Sequence, residues 1–179
     1  MPQQTPVSDP TPVFDPTPVS DPVMDRITAA VAAGRDGDRA GARAALEREW
    51  EAVARADDAL HRFTLAHYLA DLMDHPAEEL VWDVRALDAV EALTGERAAR
   101  YHHSLRPAGF RASLHLNLAD ALRRLGAFAA AADHLDRARI GLDDLGDDAY
   151  GRMIRSACVG VGEAIARRST QPRERAPHD

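Results

Sequence analysis

Three groups of residues in this chain have types and spacings that could do chemistry. His67, Asp71 and His75 recur at four-residue intervals, so a helix would line them along one face as nitrogen and oxygen donors, with Asp74 beside them. Helical geometry puts Arg123 and Arg124 near Asp120 on a face of mixed charge, where the paired arginines could touch phosphate or an acidic partner, although such pairs on a helix surface are usually solvated. His102, His103 and His115 add imidazoles within a short span. One chemistry open to these groups is a small His/Asp metal or hydrolytic site between helix 58–74 and the segment 95–115. Geometry limits it, because residues eight apart on a helix are separated by about 12 Å along its axis, so His67, Asp71 and His75 cannot all ligate one ion. No HExxH, CxxC, phosphate-binding loop or GxSxG motif occurs. These absences favour structural or solvated histidines, with no catalytic residue, no metal and no cofactor expected.

The elements that must position these residues are helices. Apolar spacing predicts them over about 23–34, 38–55, 58–74, 76–94, 113–125, 127–145 and 148–168. The clearest pair is Ser113–Leu145. Leu114, Leu118 and Leu125 share one side of the first helix, Gly126 suits a left-handed C′ position, and Phe128, Ala131, Leu135, Ala138, Leu142 and Leu145 stripe the second. Leu80, Val84, Leu87 and Val90 define the face expected for 76–94, and Pro76 suits its first turn. Tyr150, Ile154, Ala157, Val161 and Ile165 stripe the last helix, and Cys158 on that helix is read as a small buried hydrophobe without a disulfide partner.

The pair at 113–145 resembles a tetratricopeptide (TPR) repeat through Leu118, Ala119 and Leu122, then Gly126 and Phe128, then Ala131, Leu135 and Ala138. His115 stands where that family favours Trp, and the closing Pro is missing. Gly37, Ala42 and Leu46 resemble the same turn and second helix. The Leu-Ala-Asp at 69–71 echoes the one at 118–120, which makes Asp71 and Asp120 candidate equivalents 49 residues apart, against about 34 for a TPR unit. The surplus falls on 95–109. The stretches Trp82–Leu87 and His115–Asp120 also occur together in TPR-like proteins without a settled biochemical role.

The resemblance implies an all-α, right-handed α-solenoid of antiparallel helix pairs, about three repeats and a C-terminal capping helix, over residues 23–168. It further implies a non-enzymatic scaffold that binds a protein or peptide in a concave groove, with His67, Asp71, Asp74, His75, Asp120, Arg123 and Arg124 on that groove. The aspartates replace the Lys and Asn of the chaperone-binding carboxylate clamp, which points to a ligand with basic and apolar groups.

Composition fits this expectation. All 22 basic residues are arginine and 35 positions are alanine, as expected from a GC-rich bacterial genome, and aromatics make up only 5%, so strand-forming material is scarce. A net charge of −7 argues against binding nucleic acid through its phosphates, and no long apolar run or signal-peptide pattern points to a membrane, so a cytoplasmic protein is expected. Residues 5–22 carry three copies of a TPVxDP hexapeptide. They are expected, like the polar 169–179, to lie outside the folded domain.

Overall fold

The structure, a computed structural model, describes residues 21–53, 58–94 and 107–173. The hexapeptide array up to Ser20, the segment 95–106 with His102 and His103, and residues 174–179 lie outside these. The described residues form seven α-helices, α1 (Pro22–Arg35), α2 (Arg39–Val53), α3 (Ala59–Asp71), α4 (Pro76–Ala92), α5 (Pro107–Arg124), α6 (Phe128–Ile140) and α7 (Ala149–Ala166). A 3-10 turn, Gly141–Asp144, follows α6. Each helix packs on the next in the chain, and α1 also touches α3, as α5 does α7. No strand occurs among the described residues, and none of their helices is long and apolar enough to cross a membrane.

Local chemistry sets the helix ends. Gly126 takes φ +80°, and the amides of Gly126 and Ala127 donate to the carbonyls of Arg123 and Leu122, which satisfies two of the last free acceptors of α5. Gly37 (φ +110°) ends α1 by the same pattern, with Gly37 and Asp38 donating to Gly34 and Ala33. In both cases a buried alanine follows five residues later and a buried leucine nine residues later, Ala42 and Leu46 after Gly37, Ala131 and Leu135 after Gly126. The α3–α4 turn uses proline instead. His75 precedes Pro76, is held extended (φ −108°, ψ 131°) and caps α4 by accepting the Ala77 amide at its Nδ1.

Three expectations change here. The first helix of the 113–145 pair begins at Pro107 rather than Ser113, because a proline in the first helical turn gives up no intrahelical hydrogen bond. Its partner leaves α-helical geometry at Gly141, where the backbone lies so close to α5 that a Cβ would sit 3.0 Å from that of Ala112. On α4 the buried stripe is Asp83, Ala86, Ala89 and Val90, while Val84 is 52% exposed. The small Ala86 and Ala89 let the backbones of neighbouring helices come close, which the larger Val84 would prevent.

Two apolar cores result. The first draws on α1–α4 and reaches into α5 through Leu114 and Phe110, and the second joins α5, α6, the 3-10 turn and α7 around Ala112, Leu116, Leu135, Ile154, Cys158 and Val161. Polar contacts tie individual helices within the first. Asp21, the cap of α1, accepts from the Met24 amide and pairs with His61 Nε2 on α3 at 2.8 Å. Trp50 and Trp82 meet edge to face at 5.1 Å, with the Arg85 guanidinium 4.3 Å from the Trp82 ring centre.

Gly126 has open space around its Cβ position, so Gly126→Ala tests backbone conformation alone. A residue with a side chain held at this φ costs about 1–2 kcal/mol. Urea unfolding should show that loss as a lower midpoint with an unchanged slope. An unaltered midpoint would mean that this turn is not held left-handed.

Candidate functional site

Residues of α1, α3, α5 and α7 meet around one cavity. This cavity, of about 300 Å³, is lined by Met24 and Thr28 of α1, by Leu60, Phe63, Thr64, His67 and Tyr68 of α3, by Phe110 and Ser113 of α5, and by Tyr150 of α7. Its floor is aromatic, with Phe63 and Phe110 at 4.7 Å and the His67 ring stacked on Phe63 at 6.0 Å. Polar atoms ring it. The His67 Nδ1 is buried and has no hydrogen-bond partner, and the phenol of Tyr150 is raised in pKa, chiefly by burial, against the opposing hydrogen bond with Ser113. Tyr68 also borders a second cavity of about 630 Å³, whose lining includes Val31, Arg35, Arg39, Leu46, Asp71 and Leu72.

Continuing along α5 at helical spacing from Phe110 and Ser113 come Asn117, Asp120 and Arg124. Here the face becomes ionic. Arg124 donates to Asp120 Oδ2 at 3.0 Å and pairs with Glu79 of α4 at 2.5 Å. Arg123 donates through Nε and Nη2 to Asp120 Oδ1 at 3.1 and 2.8 Å, and its Nη1 donates to the carbonyls of Ser169 and Gln171 at 2.7 and 2.8 Å. Next to these groups Asp83 is completely buried. Asn117 donates to its Oδ1 at 3.5 Å, and its Oδ2 has no partner. Burial first, and the Glu79 charge second, push the Asp83 carboxyl well above the usual carboxylate range, with the Asn117 hydrogen bond opposing them.

The residues expected on one groove are therefore distributed over several environments. His67 lines the aromatic cavity and Asp71, the last residue of α3, borders the larger one. Asp74 is 93% exposed, with an Arg39 nitrogen at 3.9 Å, and His75 serves as the cap of α4. Asp71 and Asp120 do not occupy matching positions, since α3 ends at Asp71 whereas α5 runs four residues past Asp120. Arg123, expected on an open wall, is wholly buried, because the carbonyls of the C-terminal segment satisfy its guanidinium. The same bonds hold residues 169–171, which the sequence places in a loose tail, against α5.

The structure does not bring His67 and His115 to one site. His115 instead faces His134 of α6, with their Nδ1 atoms 3.1 Å apart, a partner the sequence reading missed. Spacing about Gly126 does not single this partner out, since 11 residues before and 8 after the turn differ by about 4.5 Å of helical rise. Among the described residues no three His, Cys, Asp or Glu side chains converge as metal ligands. Ser113 Oγ donates to the Phe110 carbonyl, and the Cys158 thiol is buried among apolar side chains with its pKa raised chiefly by burial. Neither is arranged as an activated nucleophile.

No protein-family model, curated protein or solved structure matches the chain.

The raised Asp83 carboxyl sets a pH dependence. The folded state holds this proton more tightly than the unfolded chain, so Asp83 weakens stability as pH rises above the unfolded-state value near 4. Asp83→Asn should thus be more stable than wild type at pH 7, and the difference should shrink as the pH is lowered toward 4. Denaturant midpoints across that range check it; a variant less stable at pH 7 would show that the charged form is accommodated.

Proposed function

We propose that the chain is a TPR-like α-solenoid of antiparallel helix pairs, α1–α2, α3–α4 and α5–α6 with α7 as the cap, and that its concave face binds an extended segment of a partner protein. The carrying observation is the origin of the aromatic cavity, whose lining comes entirely from α1, α3, α5 and α7. In a stack of helix pairs the first helices of successive pairs form the concave surface, and α7 starts what would be a fourth pair. Two further observations support the repeat, namely the matching left-handed glycine turns at Gly37 and Gly126 and the matching alanine and leucine positions that follow each.

The surface suits a peptide better than a compact charged metabolite. The cavity is mostly apolar, while Thr28, Tyr68 and Tyr150 carry hydroxyls able to bond the exposed amides of an extended chain. An apolar or aromatic anchor would pack on the contiguous Phe63 and Phe110 rings, and a neighbouring basic residue would find Asp71 and Asp74 at the end of α3. The interaction adds contacts without bond-making chemistry, so the protein acts as an adaptor, in keeping with a soluble cytoplasmic location.

A displayed-peptide selection against the full-length protein, followed by titration of the recovered sequences, tests this. Thr28→Arg and Tyr150→Ala should each weaken binding on the order of tenfold or more, since central aromatic contacts dominate such interfaces. Val84→Ala, on the outer face of α4, should leave affinity unchanged. Peptides whose affinity ignores Thr28 and Tyr150 would place recognition elsewhere.

A further inference from the structure

We propose that His115 of α5 and His134 of α6 form a two-imidazole site for a borderline divalent transition-metal ion such as Cu²⁺ or Zn²⁺, which clips the two helices together. This inference stands apart from peptide binding, since the pair lies between α5 and α6 and contributes nothing to the aromatic cavity.

The geometry is close to that of a chelate. Imidazole nitrogens bind Zn²⁺ at about 2.0–2.1 Å, so two of them at a tetrahedral angle lie about 3.3 Å apart. The Nδ1 atoms of His115 and His134 are 3.1 Å apart, and their rings are tilted by 48° with centres 5.2 Å apart. An ion needs the two nitrogens about 0.2 Å further apart and both rings turned so that their lone pairs converge on it, an adjustment of side-chain torsions. Both rings are partly buried yet retain exposure, which leaves the remaining coordination positions to water. Borderline ions favour imidazole, and affinity for such a site peaks at Cu²⁺ in the first-row series.

The surrounding charges define the conditions. Arg111 of α5 and Arg137 of α6 face the pair with positive charge, Glu91 of α4 and Asp133 of α6 with negative charge, and Arg111 donates to Glu91 at 2.9 Å. Burial first, then the neighbouring His134 and Arg137 for His115, and Arg137 for His134, lower both imidazole pKa values. Both rings are accordingly neutral at pH 7, the form that ligates. Without metal, a proton on one Nδ1 bridges to the other nitrogen. Binding displaces that proton to the second ring nitrogen, so the sum of protons on the neutral pair is unchanged, and affinity falls only at acid pH, where the imidazolium form competes.

Titration calorimetry of the full-length protein with CuCl₂ and ZnCl₂ at pH 7.5 provides the test, with His115→Gln, His134→Gln and, as a control elsewhere, His75→Gln. One equivalent should bind to wild type and to His75→Gln, with Cu²⁺ the tighter, and either Gln variant of the pair should lose tenfold or more in affinity. Circular dichroism establishes that these variants remain helical. Should they not fold, selective broadening of the His115 and His134 ring proton signals of the wild-type protein by substoichiometric Cu²⁺ decides. Binding unaffected by both variants, broadening confined to other histidines, or no saturable binding would overturn the site.

Discussion

The packing of α5 on α4, across which Arg124 bridges to Glu79, is the junction on which the rest of the arrangement depends. The apolar cores fall into two, one built mainly from α1–α4 and the other from α5–α7, and the α4–α5 packing joins them. Asp120 extends the bridge by holding Arg124 and Arg123 together, and Arg123 carries it on to the carbonyls at 169 and 171 beyond α7. One chain of charge-assisted hydrogen bonds thus runs from α4 to the end of the folded chain. With Glu79, Asp120 and Arg124 each retaining 15–23% exposure, the network avoids the full desolvation cost of a buried ion pair, and only Arg123 is withdrawn entirely from water. Arg123 meets four acceptor contacts there, which offsets its burial.

This junction also bears on the aromatic cavity. The aromatic cavity takes most of its apolar lining from the first core, including Phe63, Tyr68 and Phe110, with Tyr150 of α7 added. A loose α4–α5 junction would open it. A rigid one keeps Phe110 against Phe63, so the cavity is preformed. Asp83 is the cost of this design. Its carboxyl sits at the same junction without a partner on Oδ2, destabilising the neutral-pH state while Glu79 beside it is committed to Arg124.

Much of the helical organisation was legible because it depends on local rules. The alternation of apolar residues located seven helices, and Gly126 and Pro76 marked turns whose chemistry acts over a few residues. The ionic network was not legible, since the Arg123 acceptors lie 46 and 48 residues away along the chain and an arginine among polar neighbours reads as surface. The α4 stripe was misplaced for a related reason. A periodic reading prefers Val84 to Asp83, whereas the close approach of helices selects the turn bearing Ala86 and Ala89. The TPR resemblance puts His67 and Asp71 on one groove, whereas they line two different cavities, and Phe63, Phe110 and Tyr150 go unnoticed as a group because their meeting requires three helices to be docked.

Unfolding followed by two probes tests most directly whether the α4–α5 bridge makes a single body of the two cores. Both tryptophans, Trp50 and Trp82, belong to α2 and α4, so their fluorescence reports the first core, whereas far-UV circular dichroism reports all seven helices. The account predicts coincident urea transitions for the wild-type protein and separated ones for Arg124→Ala. Separate transitions in the wild type would contradict it, because the two cores would then be independent and the α4–α5 junction would not couple them.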